Sequence, residues 1–181
     1  MGHVYTTIAP MKVLLFCTIL LLTGLLASAA KNSAVEKAKA KSLSLVGQPA
    51  PIFTLPDLDN RTFGLVDRRG QVIVLAFWAT WCPPCRSEMP LLAKLQKELA
   101  PQRIAVIPVA FDDPTKARDF LLKKKLDVWS LMDAGGSVAA LYGAHALPKT
   151  FLINGDGVVV KALLGKLSEA ELRNAVQSMG R

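Results

Sequence analysis

Two cysteines separated by two prolines, Cys82 and Cys85, are the residues of this sequence best suited to do chemistry. The chain has 3 cysteines, and the third, Cys17, lies in an apolar run near the N-terminus. A bridge between Cys82 and Cys85 would close a very short loop and remove little chain entropy, which argues against a purely structural role. The spacing instead predicts a reactive pair that alternates between a dithiol and a disulfide.

The elements that must position this pair are a buried strand and the helix that follows it. Residues 71–78 are a continuous run of β-branched, aliphatic and aromatic side chains, typical of a strand buried on both faces. From Pro83 to Leu99, apolar residues recur at helical spacing. Cys82 is therefore expected just before the helix, where free N–H groups and the helix dipole favour a thiolate. This makes Cys82 the expected nucleophile, and Cys85, one turn later, the resolving residue.

The remaining patterns alternate strands with helices. Turn residues and alternating apolar residues predict a hairpin over 53–63 and strands over 103–110, 128–132, 150–154 and 158–163. Apolar residues at helical spacing predict helices over 114–124 and 137–142, and a capping box at Ser168 starts a last helix. This order predicts an α/β sandwich with a mixed central sheet and flanking helices.

A targeting pattern occupies the N-terminal segment. The uncharged run 13–26 follows Lys12 and precedes the small residues Ala27-Ser28-Ala29. This pattern is typical of a signal peptide, with cleavage expected before Ala30. The run is short for a transmembrane helix, but extended over 13–30 it is also compatible with a retained membrane anchor.

The chain is expected to carry one exported domain. Residues 1–29 are predicted to be a signal peptide or N-terminal membrane anchor, and residues 45–181 the domain. Residues 30–44 between them are predicted to be a polar tether, in which the Lys/Ala-rich stretch 31–41 is either a tether or a frayed helix. The expected location is periplasmic or extracytoplasmic, either secreted or anchored to the inner membrane. With 51% hydrophobic residues the chain has enough apolar content for a real core, which excludes a disordered or disulfide-stapled class.

The segment Phe77–Pro90 resembles the active site of the thioredoxin superfamily, in particular that of the exported TlpA/ResA/DsbE-like thiol–disulfide oxidoreductases. Residues 146–153 resemble the family's segment around a cis-proline, which is Pro148 here. The resemblance spans about 46–177. It implies a thioredoxin-like three-layer sandwich with a mixed sheet, an N-terminal β-hairpin and a strand–helix insertion held by residues 112–135.

The resemblance also implies site residues, with no metal and no cofactor. Glu88, three residues after Cys85, matches a glutamate of the ResA-like branch and is expected to act as an acid/base group; the alternative is a solvated helix carboxylate. The buried aspartate of thioredoxins is replaced here by Ala76, so its role is not carried over. Substrate contacts are expected from Trp81, Pro83, Pro84, Leu147 and Pro148. Lys149, the next residue, is expected to be an exposed lysine; the alternative is that it biases the choice of substrate.

The two prolines favour one direction of electron flow. Pro84 has no N–H, so one donor that would stabilise a Cys82 thiolate is missing. A less stabilised dithiol is a better reductant, which predicts an electron donor to disulfides of exported proteins. The resemblance implies apocytochrome c or another exported cysteine protein as substrate, and a membrane electron donor of the CcdA/DsbD type.

Other functions fit the sequence less well. Cys82, Cys85 and His145 are the ligands expected of a copper-binding metallochaperone, which is the main alternative. A peroxidase would need a different motif around its cysteine. The net charge of +8 is spread along the chain without interleaved aromatic residues, so no nucleic-acid partner is expected.

Overall fold

The computed structural model describes residue 33 and residues 36–179. The predicted signal peptide or anchor lies outside this part of the chain. Over the residues described, no helix is both long enough and apolar enough to cross a membrane. A compact unit begins at Lys37 and contains the cysteine pair.

A five-stranded mixed sheet forms the centre of this unit, with the order β5-β4-β3-β6-β7. In this sheet β3, β4 and β5 are parallel, whereas β6 and β7 run antiparallel to their neighbours. A separate hairpin, β1 with β2, precedes the sheet and pairs Leu55 with Phe63. The strands are β1 (Thr54–Pro56), β2 (Thr62–Gly64), β3 (Val72–Trp78), β4 (Ile104–Ala110), β5 (Leu131–Met132), β6 (Lys149–Ile153) and β7 (Val159–Leu164).

Helices cover both faces of the sheet. They are α1 (37–44), α2 (Pro83–Leu99), α3 (Pro114–Lys123), α4 (Ser137–Tyr142) and α5 (Glu169–Gln177), with short 3-10 turns at Leu65–Arg68 and Ala100–Gln102. One buried cluster joins α2, α3 and α5 to the sheet, through side chains such as Met89, Ala117 and Leu172. The other joins the hairpin and α4 to the opposite face, around Phe63, Tyr142 and Phe151. The predicted three-layer α/β sandwich with an N-terminal β-hairpin is confirmed, and residues 112–135 contain α3 and β5.

The strand predicted over 128–132 is shorter in the structure, because only Leu131 and Met132 pair with β4. At Trp129 the Gln96 side chain makes the hydrogen bonds that a neighbouring strand would otherwise make. Its Oε1 accepts the Trp129 N–H at 2.8 Å, and its Nε2 donates to the Trp129 carbonyl at 2.8 Å. A remote side chain therefore satisfies the backbone that the apolar pattern assigned to a strand.

The segment predicted as a polar tether or frayed helix is, in its second half, a helix that packs on the domain. Residues 37–44 are helical, Ala38 is 8% exposed and Ser42 is fully buried. Small side chains at these two positions, four residues apart, lie on one face of α1 and let it approach the domain closely. Residues 37–44 are thus part of the folded unit.

Candidate active site

Cys82 and Cys85 are bonded to each other at the start of α2, with an S–S distance of 2.09 Å. Cys82 is the N-cap residue of the helix, and its Sγ accepts the Cys85 N–H at 3.3 Å. Both cysteines are buried in this oxidised state, Cys82 at 4% and Cys85 at 1% exposure. The structure places Cys82 at the helix N-terminus, as the sequence predicts, and the sulfur is buried in the disulfide form.

The turn from β3 into α2 is held in place by a residue that the sequence did not single out. Asp112, just after β4, accepts the Thr80 N–H at 2.7 Å through Oδ2, and the Thr80 hydroxyl donates to the same oxygen. At the end of β3, the Trp78 Nε1–H donates to Ser130 Oγ at 3.2 Å. These bonds connect the ends of neighbouring elements and fix the chain that enters the cysteine motif.

Pro148 follows a cis peptide bond after Leu147, as the resemblance implied. Because Lys149 pairs with Phe77 in the sheet, Pro148 lies beside the end of β3, where the chain turns toward the cysteines. The Pro148 carbonyl accepts the Gly165 N–H at 2.9 Å, and Pro148 itself is buried. Leu147 is half-buried and packs against both core clusters.

Glu88 is a buried carboxylate rather than a solvated one, with 2% of its surface exposed. It lies three residues after Cys85 on α2, a spacing that puts the two side chains on one side of the helix. Its Oε1 accepts the Leu167 N–H at 2.8 Å. Burial raises the pKa of Glu88, and this effect outweighs the lowering by the Leu167 bond and by the nearby Lys166.

Trp81 stands at the surface beside the cysteines, with 59% of its area exposed. Its ring meets Phe111 edge-to-face at 6.4 Å between centroids, and Phe111 meets His145 in the same way at 5.9 Å. Gly136 makes room for this row, since a Cβ there would lie 2.4 Å from the Phe111 ring. Pro83 and Pro84 are exposed next to Trp81.

Lys149 is not the exposed lysine that was expected, because it is 3% exposed. Its stem lies on the same face of β6 as Phe151, and its Nζ is 5.7 Å from that ring's centroid. The burial of Lys149 depends on tertiary packing around β6, which the local sequence does not indicate.

The copper-site alternative is not supported by the geometry. Among residue 33 and residues 36–179, no three His, Cys, Asp or Glu side chains converge to hold a metal ion. His145 is exposed and packs its ring on Phe111. The structure therefore does not bring His145 together with Cys82 and Cys85 as a ligand set.

A buried acid away from the cysteines was also missed by the sequence analysis. Asp57, in the turn after β1, is 2% exposed and accepts bonds from Trp129 Nε1 at 2.8 Å and from the backbone and side chain of Arg61. Burial alone would raise its pKa, but the bonds from Trp129, Arg61 and Asp59 outweigh burial and lower the pKa to about 2. These contacts give Asp57 a structural role in the hairpin.

Comparison with known proteins agrees with this arrangement. Residues 46–162 match the model of the AhpC/TSA family. The chain is 33% identical over 140 residues to thiol-disulfide oxidoreductase ResA of Geobacillus thermodenitrificans, covering 77% of this chain and 80% of that protein.

Solved structures of the same kind superpose on this fold. A candidate thiol:disulfide interchange protein DsbE from Chlorobium tepidum has a TM-score of 0.67 at 29% identity, covering 75% of this chain and 96% of that one. A secreted Mycobacterium tuberculosis disulfide oxidoreductase homologous to Escherichia coli DsbE has a TM-score of 0.62 at 26% identity, covering 70% and 95%. The chain therefore belongs to the AhpC/TSA family with a thioredoxin-like fold, and it is a thiol–disulfide oxidoreductase of the ResA/DsbE type.

Proposed function

We propose that this protein reduces disulfides of exported proteins through a Cys82/Cys85 dithiol–disulfide cycle. The observation that carries the proposal is the bonded pair at the N-terminus of α2, with a buried carboxyl group one turn further along the helix. The pair is near the cis-proline and beside an exposed tryptophan, so a client chain has a surface to contact. Thiol–disulfide exchange needs no metal or organic cofactor.

The first step is attack by the Cys82 thiolate on a client disulfide. Its Sγ bonds to one client sulfur, the client S–S bond breaks, and the second client sulfur leaves as a thiolate. Cys82 is suited to this step because the N–H of Cys85 points at its sulfur and the positive end of the α2 dipole favours a negative charge there.

In the second step Cys85 resolves the mixed disulfide. Cys85 loses its proton and attacks Cys82 Sγ, which forms the intramolecular bond, breaks the bond between Cys82 and the client, and releases the first client sulfur as a thiolate. Two electrons have then moved from the protein to the client. Glu88 is the proposed proton acceptor, since no described residue donates a hydrogen bond to its Oε2 and its raised pKa makes it a stronger base than an exposed glutamate.

Electron donation is favoured by the two prolines between the cysteines. Pro83 and Pro84 occupy the first turn of α2 and have no N–H groups, so Cys85 supplies the first backbone donor after the cap. Fewer donors stabilise the Cys82 thiolate less, and a less stabilised dithiol gives up its electrons more readily.

Client binding is proposed at the surface formed by Trp81, Pro83, Pro84, Leu147 and Pro148. Exposed aromatic side chains provide contact area at little cost in side-chain entropy, and Trp81 stands next to the nucleophile. We propose that the clients are exported cysteine proteins, among them apocytochrome c during cytochrome c maturation. A membrane electron donor of the CcdA/DsbD type would return the pair to the dithiol form.

The proposed location is outside the cytoplasm, in the periplasm or an equivalent space. Residues 1–29, with their uncharged run and small-residue site, are proposed to direct export or to anchor the chain through residues 13–30. The secreted relative from Mycobacterium tuberculosis supports this location. The enzymatic domain is proposed to extend to the C-terminus.

Trapping of mixed disulfides tests the proposal. Cys85→Ser removes the resolving thiol, so Cys82 should remain bonded to its clients, and these complexes should disappear on adding a reductant. Cys82→Ser is the matched control and should trap nothing and reduce no insulin. Recovery of no exported cysteine protein with Cys85→Ser would contradict the proposed function.

A further inference from the structure

Helix α1 touches the N-terminal end of the loop that carries Pro148, which we define as the cis-proline loop (143–148). Gly143, at the C-cap of α4, has φ of +62°, and a Cβ there would lie 2.6 Å from the Ala38 carbonyl oxygen and 3.0 Å from the Ser42 nitrogen. The backbones of α1 and the loop are therefore in direct contact. The absence of a side chain at Gly143 is what permits this approach.

The same helix lies near the C-terminal end of the loop. Lys149 directly follows Pro148, and the positive charge of Lys39 on α1 acts on its ammonium group. Among residue 33 and residues 36–179 no carboxylate forms a salt bridge with Lys149, and residues 1–35 contain no Asp or Glu. The charge of Lys39 therefore disfavours the ammonium form of Lys149 at this end of the loop.

The loop between these two ends is the part available to a client. His145 is exposed, and Ala146 and Leu147 are half-buried, whereas Ala144 is fully buried. An element packed against one end of a short loop limits the positions that the middle of the loop can take. The energy of binding a client then depends on how well the loop is held in place beforehand.

We propose that α1 is a positioning element for client binding, holding the cis-proline loop through the backbone contact of Ala38 and Ser42 with Gly143. This inference rests on the proposed function, because it takes the loop to contact the client. Under this proposal α1, which follows the proposed export segment, contributes to client binding. Tightening or loosening α1 should change the KM for a protein disulfide more than kcat.

The first test loosens the contact in the full-length protein. Gly143→Ala places a methyl group against the Ala38 carbonyl, and Gly47→Ala is the matched control, since Gly47 also has a positive φ, +81°, but nothing within 4 Å of its Cβ position. Gly143→Ala should raise the KM for insulin about three- to tenfold relative to Gly47→Ala. It should also speed amide hydrogen exchange at Ala144 and His145, whereas alkylation of Cys82 by iodoacetamide should not change.

The second test tightens the contact and does not risk unfolding the protein. Lys39→Glu turns the repulsion with Lys149 into an attraction and should lower the KM for insulin, on the order of twofold. Lys37→Glu, an exposed change of the same charge on the same helix, should leave the KM unchanged. Equal KM values and equal exchange within each pair of variants would overturn the inference. If the wild-type protein reduces no insulin, the proposed function fails, and the inference fails with it.

Discussion

The carboxylate of Glu88 accepts a hydrogen bond from the backbone N–H of Leu167, 2.8 Å from its Oε1. This bond joins α2 to the chain that leads into α5 and fixes one carboxylate oxygen beneath the cysteine-bearing turn. Since the described residues leave Oε2 without a hydrogen bond, that oxygen is the one able to exchange a proton. Burial raises the pKa of the group, so the protonated form persists to higher pH than for an exposed glutamate.

Replacing Glu88 by Gln should slow the resolving step. The amide keeps an oxygen to accept the Leu167 N–H but cannot take up the proton of Cys85, so we expect the mixed disulfide to resolve about 100-fold more slowly. Single-turnover reduction of a client disulfide, followed by quenched-flow, measures this rate. The initial attack by Cys82 should be affected much less.

Two controls separate this effect from a loss of stability. Glu98→Gln makes the same change near the end of α2, at a partly exposed position, and should leave the resolving rate unchanged. The pKa of Glu88 is higher in the folded protein than the reference value of 4.5, so the free energy of unfolding falls as pH rises from 4.5 through the pKa of the folded protein. Glu88→Gln should therefore be no less stable than wild type at pH 7. Equal resolving rates for Glu88→Gln and wild type would remove Glu88 from the mechanism.

Asp57 should stabilise the fold without affecting the chemistry. Asp57→Asn loses charge-assisted bonds from Arg61 and Trp129, and we expect it to lower the free energy of unfolding by about 1–3 kcal/mol at pH 7. The folded pKa of about 2 lies below the reference value of 3.8, so this stabilisation is complete above 3.8 and is lost as pH falls toward 2.

Urea denaturation at several pH values measures the contribution of Asp57. Between pH 4 and pH 2 the difference between wild type and Asp57→Asn should shrink. Asp59→Asn, at a position 58% exposed, is the control and should change stability little. A difference that stays constant across this pH range would show that the Asp57 charge is not the cause.

Lys149 should destabilise the fold, because it buries a cation without a counter-charge. Lys149→Met keeps the apolar stem against Phe151, and we expect it to raise the free energy of unfolding by about 1 kcal/mol at pH 7. Burial first, and then the Lys39 charge, lower the pKa of Lys149 below 10.5. The wild type should therefore gain stability as pH rises through the folded pKa toward 10.5, and the advantage of Lys149→Met should decline. Lys161→Met, exposed on β7, should show no such advantage in thermal unfolding.

Trp81 should contribute to client affinity and not to stability. It is 59% exposed beside Cys82, so Trp81→Ala should raise the KM for insulin about tenfold while the melting temperature stays near that of wild type. Leu122→Ala, on α3 at 68% exposure, is the control for removing an exposed apolar side chain. If both variants keep the wild-type KM, the client surface does not include Trp81.

Local signals in the sequence were sufficient for most of the fold. The helix bounds at Pro83–Leu99 and at Ser137–Tyr142 agree with the structure, because apolar spacing and flanking residues specify them locally. The capping box between Ser168 and Glu171 starts α5 as predicted. The cysteine pair was also identified from its spacing and from its place between a buried strand and a helix.

The features that were missed depend on contacts between residues far apart in the chain. Gln96 bonds the backbone of Trp129, which is 33 residues away in the sequence. Asp112 accepts the N–H of Thr80, which is 32 residues away. Lys149 is buried on β6, where it pairs with β3 on one side and β7 on the other, although nothing in its local sequence marks it as buried. Composition alone likewise assigned the lysine-rich stretch before residue 45 to a tether or a frayed helix, and it did not indicate that Ala38 and Ser42 are buried.

The reduction potential of the Cys82–Cys85 couple tests the central claim most directly. It is measured by equilibrating the protein with glutathione or dithiothreitol buffers and counting free thiols. As a reductase with prolines at both positions between its cysteines, the protein should have a potential below about −200 mV. A potential near about −120 mV, the range of a strong oxidase, would contradict electron donation to exported disulfides.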